Sequence, residues 1–496
     1  MKSAKSGERE RKEKPTNPNF QFPITNFKFQ IILPSFVNMK ASKNSLSLLD
    51  ASMLIMGSMI GSGIFLVSPD IARQVHTPGL LLLSWAVAGG ITIIGGLCYA
   101  ELAAAIPKAG GQYVFLKEAY NNLTGFLYGW TMFAVIQTGT IAAVGIGFAK
   151  YTGVFLSGIS SKNIVIDAGI FTLSTQQLLA MGIILLLTLY NFNSVKKGAL
   201  LQNIFTFTKI AALLGLVGAG IYYGMHSGHG SVSNFSPVLP HDISLTTVGV
   251  FLSATLGALF ACDAWNNVTF AAAEVDNPKR NLPRALIIGT GTVILVYLLV
   301  NIAYLYVLPI SQIQSAPEDR VASLMLQVAM GPSGALVLAA LVMVSTFGCL
   351  NGIILTGSRV YYAMAKDGLF FRSAAKLNKN EAPSNSLLFQ GLWSCILVFT
   401  GSYSNLLAYV MFAVLLFYIF TIAGIFILRK KQPDLERPHK VWGYPYLPML
   451  YIILASAVCI SILINNILFA GVGLLIVLAG IPMYYISKRF FRKGMA

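Results

Sequence analysis

Twelve stretches of this 496-residue chain are apolar enough and long enough to cross a lipid bilayer, and that decides most of what it can fold into. They cover residues 48–75, 79–105, 122–153, 176–193, 198–223, 246–274, 285–309, 334–364, 386–401, 404–428, 446–465 and 467–487. About 20 apolar residues make one helical span. Backbone groups inside lipid must be paired internally, a demand that a helix meets within its own segment. The mean hydropathy is +0.69, and only 11% of the residues are charged, where a soluble domain carries about 25%. The fold class expected is an all-α polytopic membrane protein.

The net charge of +17 does not point to nucleic acid, because the charge is distributed by topology. With the N-terminus cytoplasmic, all but five of the 35 Lys and Arg residues fall in cytoplasmic loops, tails or helix ends. Arg73, Lys150, Lys162 and Arg320 fall outside, and Lys209 lies within a span. Positive residues stay on the cytoplasmic side of a membrane, so both termini are expected there, in a cell membrane, with the basic excess drawn to anionic lipid. All five cysteines (Cys98, Cys262, Cys349, Cys395, Cys459) lie within spans, which argues against a disulfide framework.

The termini and loops carry no soluble domain. Residues 1–45 are expected to form a disordered cytoplasmic tail, with Met39 as the natural start, and 488–496 a short basic tail. The loop over 224–245 holds His226, His229 and His241, too few ligands for a metal site. Two blocks of five spans, 46–223 and 246–428, precede a final pair over 446–487. Five is odd, so the second block enters the membrane from the opposite face, and an inverted repeat follows.

Each block opens on an interrupted span. The first carries Gly57-Ser-Met-Ile60-Gly61-Ser62-Gly63-Ile-Phe65. Glycine costs about 1 kcal/mol against alanine inside a helix. A break after Ile60-Gly61 leaves the N–H groups of Ser62, Gly63 and Ile64 opening a new half-helix, where an anion such as a carboxylate is favoured. The alternative is a small-residue packing face formed by Gly57 and Gly61. The second interruption is Phe260-Ala261-Cys262-Asp263-Ala264-Trp265-Asn266-Asn267. Asp263 is a charge deep in an apolar span, costly and functional by default, and it is also a good cap for a helix resuming at Trp265. The carbonyls of Phe260, Ala261 and Cys262 then face an ammonium group. One break for a carboxylate and one for an amine describe a free amino acid, with Phe260 placed to close over it.

Lys209 lies about 16 Å along the helix from the nearer end of its span, beyond easy snorkelling. It is expected either to bond carbonyls of the first break as a fixed cation or to carry protons, since burial disfavours a charged amine. The charges from Glu274 to Arg284 read as an ordinary positive-inside loop, with a gate formed with Arg359 or Lys366 as the other reading; Glu101 and Lys108 read the same way. The chain has no Gly-x4-Gly-Lys-Ser/Thr loop, no Gly-x-Ser-x-Gly elbow, no metal-ligand spacing and no His inside a span. No cofactor, no metal and no enzyme activity are expected.

Taken together, the two interrupted segments, Glu274-Val-Asp-Asn-Pro278-Lys-Arg280-Asn-Leu-Pro283, Gln202-Asn-Ile-Phe205 with Lys209, Asn351-Gly352, Ser358-Arg359, Lys366-Asp367-Gly368, and Arg429-Lys-Lys-Gln-Pro433 with Arg437-Pro438 resemble the amino acid–polyamine–organocation superfamily. Within it they look most like the L-type amino acid transporters and their bacterial members, over residues 46–487. The resemblance implies twelve transmembrane helices in a five-plus-five inverted repeat, the leucine-transporter-like fold, with two extra C-terminal helices. It implies an amino acid permease working by alternating access, as an exchanger or with protons. It assigns the carboxylate to Gly61, Ser62 and Gly63, the amine to carbonyls near Ile60, Phe260 and Cys262, and the gate to Phe260. Lys209 matches the lysine that stands in for sodium in that family. Relatives often carry Tyr in place of Cys262 and Gly in place of Ala264, so side-chain selectivity does not transfer. Residues 154–175 lack the cysteine by which eukaryotic relatives join a heavy subunit, so no heavy-chain partner is expected. The alternatives are a polyamine or other organic-cation carrier and, in another class, a channel or membrane enzyme.

Overall fold

A computed structural model describes residues 45–167, 172–192, 195–228, 230–240, 242, 244–399, 403–465 and 467–492. The expected tail over 1–44 with Met39, the loop residues His229 and His241, and the last four residues of the basic tail lie outside them.

The first span is broken. Helix α1 (Leu48–Met59) starts at a capping box in which the Ser47 hydroxyl accepts from the Asp50 N–H and the Asp50 carboxylate accepts from the Ser47 N–H. It ends at Ile60, and the chain resumes as α2 (Gly63–Leu66) and α3 (Ser68–Val75). Helix α4 (Pro78–Ala105) crosses back, stopping before Pro107. After α5 (Gln112–Ala119), α6 (Asn122–Thr131) and α7 (Gln137–Thr152) run as one 31-residue span through a π-helical turn over Met132–Ile136. A hairpin of β1 (Ile164–Asp167) and β2 (Thr172–Ser174) leads to α8 (Thr175–Tyr190) and the long α9 (Val195–Ser227).

The second interrupted span is α10 (Leu245–Ala261) followed by a 3₁₀ helix over Trp265–Glu274. Helix α11 (Pro278–Val307) follows, then the short α12 (Ile310–Gln314) and α13 (Val321–Met330), α14 (Pro332–Lys366), α15 (Ser384–Phe399), α16 (Tyr403–Lys431), α17 (Tyr446–Asn465) and α18 (Ile467–Arg492).

Ten of the described helices are long and apolar enough to cross a membrane. The expected spans over 176–193 and 386–401 coincide with α8 and α15, which are apolar but shorter. Each has 16 residues, roughly 24 Å at 1.5 Å per residue, against a hydrocarbon core of about 30 Å. The segment 310–333, left between the expected spans 285–309 and 334–364, carries α13. Its Val321, Ala322, Met325 and Leu326 recur at helical spacing and are buried, facing α9 and α14.

The packing is reciprocal between the two blocks. Helix α4 lies on α11, α7 on α14, and α8 on α15. Helix α1 packs on the 3₁₀ segment after the second break, while α10 packs on α2 and α3 beyond the first. Contacts of α1 with α11 are matched by contacts of α10 with α4. Those of α9 with α14 are matched by α16 with α7. At the end where α1 begins, Leu46 pairs with the strand-like residue Val275. Its N–H donates to the Glu274 carbonyl at 2.7 Å, and its carbonyl accepts from Asp276 at 2.9 Å. The start of the first broken span and the end of the second are thereby tied together.

Candidate binding site at two helix breaks

The two breaks touch. A β-carbon on Gly63 would lie 2.7 Å from the Ala261 β-carbon and 3.0 Å from its α-carbon, so only glycine fits at that crossing. Gly57 also lies against a neighbour, with Gln202 and Thr206 of α9 filling the space a side chain would take. The packing-face and broken-helix readings of the first span therefore both hold, at different glycines.

At the first break the Gly61 N–H turns back to the Met59 carbonyl at 2.9 Å, and the Phe65 N–H donates to the Ser62 carbonyl at 3.1 Å. The N–H groups of Gly63 and Ile64 head the second half-helix, where no preceding turn offers them a carbonyl. At the second break Cys262 ends α10, and Ala264 turns left-handed with φ of 69°. The Phe260 carbonyl accepts from the Asp263 N–H at 3.1 Å.

A single cavity is lined by Met59, Gly61, Ser62 and Gly63 of the first break and by Phe260, Ala261, Asp263 and Ala264 of the second, closed by Thr140 and Val144 on α7 and Cys349 and Ile353 on α14. Cys262, buried, is not among the lining residues. A second cavity shares Thr140, Asp263, Ala264 and Ile353 with the first and extends past Tyr128, Asn267 and Tyr418 to Gln112 on α5.

Lys209 is 1% exposed, and its Nζ donates to the carbonyls of Gly57 at 2.6 Å and Ile60 at 2.8 Å. It is thus bonded to the first break, as one of the two sequence readings has it. Ser345 also approaches the Ile60 carbonyl, at 3.3 Å. That carbonyl, expected to help hold an amine, is already engaged by two donors, because it is the last one exposed where α1 stops.

Asp263 does not cap the resuming helix. The position before Trp265 belongs to Ala264, with no side-chain cap, and the left-handed turn there separates the carboxylate from the helix N–H groups. Asp263 Oδ1 instead accepts from the Tyr418 hydroxyl of α16 at 2.6 Å. Tyr297 of α11 brings its hydroxyl within 3.0 Å of the Met59 carbonyl and 3.2 Å of the Ala261 carbonyl, one from each break. Sequence reasoning missed Tyr297, Tyr418 and Thr140. Their only signal is a polar atom inside an apolar span, which the chain has in many places.

The charges at the end where α1 begins are not an ordinary solvated loop. Glu101 is 2% exposed. It accepts from Arg429 at 3.0 and 2.7 Å and from the Val441 N–H at 2.8 Å, with Arg437 3.6 Å away. Arg429 also lies 3.6 Å over the Tyr444 ring. Glu274 pairs with Arg359 at 3.1 Å, and Asp367 with Lys117 at 2.7 Å and the Tyr113 hydroxyl at 2.6 Å.

Residues 46–486 match the family described as amino acid permease. The b(0,+)-type amino acid transporter 1 of Mus musculus is 30% identical over 92% of this chain and 90% of its own length. The human Large neutral amino acids transporter small subunit 2 is 32% identical over 90% of this chain and 81% of its own. The human Asc-type amino acid transporter 1 is 30% identical over 90% and 83%. With its broken helices, its lysine-bound first break and a match along nearly all its length, this chain belongs to the amino acid permease family.

Proposed function

We propose that this protein carries amino acids across a cell membrane as a secondary transporter. The observation that carries this reading is the meeting of two helix breaks at Gly63 and Ala261, facing one cavity. An α-carboxylate is placed at the N–H groups of Ser62 and Gly63 beside Gly61, where the half-helix dipole favours an anion. The ammonium is placed against carbonyls of the second break beside Phe260, which lines the cavity where Cys262 does not, with Phe260 as the gate.

The transport cycle we infer is alternating access, as exchange or with protons, and without sodium. The Lys209 ammonium engages the Gly57 and Ile60 carbonyls, where it leaves a sodium ion neither ligands nor a favourable potential. The reciprocal packing of the two blocks supports an inverted repeat of five plus five spans within twelve, with α1 and the 3₁₀ segment rocking together through Leu46 and Glu274. Both termini are placed in the cytoplasm by the positive-inside rule.

We also propose that the chain works without a disulfide-linked heavy subunit. Residues 154–175 hold no cysteine, and the five cysteines are free and buried.

The test is uptake of labelled amino acids into proteoliposomes holding this chain alone, with and without internal substrate, sodium and a pH gradient. Uptake by the single chain, independent of sodium, is expected. Ser62→Ala should weaken it modestly, and Gly63→Leu should abolish it by pressing into Ala261. Normal uptake by Gly63→Leu removes the site from this place. Transport only after a partner subunit is added removes the second proposal alone.

A further inference from the structure

A cavity of about 370 Å³ lies apart from the helix breaks, where α5, the end of α14 and the end of α18 meet. Lys117 and Asn122 line one side, Asp367 and Leu369 another, and Tyr484 and Lys488 the third. Asn122 opens the span Asn122–Thr152, and Lys488 stands next to the end of the span Gly471–Arg489. Helices α6 and α18 pack on each other. Two adjacent spans thus reach the same membrane face beside the cavity, at the depth of lipid headgroups.

The charges around this cavity do not balance. Asp367 is already engaged by the Lys117 ammonium at 2.7 Å and the Tyr113 hydroxyl at 2.6 Å. Among the described residues no carboxylate stands within ion-pair distance of Lys488, which lies 6.0 Å over the Tyr484 ring. One cation is left over. An ammonium has three donors and an amide two, so Lys117, Lys488 and Asn122 carry more N–H groups than Asp367 accepts. The positive dipole end of the Asn122–Thr152 span lies there too. This donor set suits a phosphate, whose charge and several acceptor oxygens match it. A headgroup that brings its own ammonium finds no carboxylate left for it. The outer surface of α18 says where the phosphate comes from. Leu475, Leu478 and Tyr485 are exposed, recur at helical spacing toward Lys488, and offer acyl chains an apolar track. A soluble phosphate has no use for that track.

We propose that this cavity binds the phosphate of an anionic membrane lipid through Lys488, Lys117 and Asn122. Basic pockets between spans take such headgroups. The bound lipid bridges α18 to α5 and to the end of α14, and so holds the last helix against the rest of the bundle. The site shares no residue with the cavities at the helix breaks.

The experiment is native mass spectrometry of the full chain in detergent, titrated with phosphatidylglycerol, phosphatidylcholine or inorganic phosphate. The first phosphatidylglycerol should bind at least tenfold more tightly than the first phosphatidylcholine, and inorganic phosphate should not displace it. Lys488→Gln should weaken it at least tenfold. Lys430→Gln makes the same charge change at an exposed lysine outside the cavity, and it should alter the affinity less than twofold. Equal weakening by the two variants means diffuse attraction and overturns the site. Equal affinity for the two lipids overturns the recognition of charge. Displacement by inorganic phosphate at the lipid's own concentration overturns the lipid as the source. Should Lys488→Gln fail to fold, Asn122→Asp decides, since an acidic residue in the first turn favours the helix while its charge opposes a phosphate. It should weaken phosphatidylglycerol at least tenfold, and an unchanged affinity overturns the proposal.

Discussion

The Lys209 ammonium lies 2.8 Å from the Ile60 carbonyl, at the residue where α1 stops. A helix that ends inside a bilayer leaves its last carbonyls without N–H partners and its negative dipole end uncompensated. Lys209 answers both demands at once, also taking the Gly57 carbonyl one turn earlier. Lys209→Met keeps the side-chain volume and removes the donors, stranding the buried Gly57 carbonyl at about 1–3 kcal/mol while the Ser345 hydroxyl stays on the Ile60 carbonyl. It should lower uptake at least tenfold and lower the melting temperature in detergent. Wild-type rates in Lys209→Met and Lys209→Ala at every pH tested remove both the structural and the proton-carrying role.

Tyr297 reaches one carbonyl from each break, so its hydroxyl fixes their relative position. Tyr297→Phe removes one hydrogen bond, worth about 1 kcal/mol, and little volume. Stability should fall by that amount while uptake slows several-fold, because the two halves of the site lose a shared partner. Equal falls in uptake for Tyr297→Phe and for an equally destabilising substitution on the lipid face, such as Leu295→Ala, assign the residue to stability alone.

How far the sequence could be read varies with the kind of signal. Helix breaks at Gly61 and Asp263 were legible because glycine runs and a lone carboxylate violate the apolar pattern around them. Lys209 was legible for the same reason. The partners that complete those features were not. Tyr297, Ser345 and Tyr418 sit 238, 285 and 155 residues from the atoms they bond, and nothing local in an apolar span marks a tyrosine that turns inward. The π-helical turn over Met132–Ile136 carries no Gly or Pro and left no trace in the sequence. Helix α13 was lost inside a presumed loop because ten residues are too few for a span. The burial of Glu101 was missed because its three basic neighbours, Lys108 nearby and Arg429 and Arg437 far along the chain, looked alike until the fold chose the distant two.

Arg429 meets the buried Glu101 carboxylate with two hydrogen bonds, a paired geometry that adds direction to charge. Taking away one partner of a buried pair strands the other, at about 3–5 kcal/mol. Arg437 and the Val441 N–H remain near Glu101, so Arg429→Ala should cost less, about 2–3 kcal/mol, read as a fall in melting temperature. Glu101→Gln with Arg429→Ala should recover part of the loss, since no bare carboxylate is then left. Additive losses in the double variant break the pairing argument.

Ala264 holds a φ of 69° at the second break, in the left-handed region where a β-carbon crowds the following carbonyl, at about 1–2 kcal/mol. Glycine has no such penalty, though it adds freedom to the unfolded chain. The turn is fixed by Cys262, which closes α10 with its N–H on the Ala258 carbonyl at 3.0 Å, and by the Asn267 N–H on the Ala264 carbonyl at 3.2 Å. Those bonds use no side chain of residue 264, so Ala264→Gly keeps the turn and removes its strain. Thermal unfolding in detergent should shift upward by about 1 kcal/mol in stability. Because the residue lines both cavities, the same substitution also widens them by a methyl group, and bulkier side chains should gain in uptake relative to small ones. A melting temperature that falls, with uptake ratios unchanged, means the backbone at residue 264 is not left-handed in the protein.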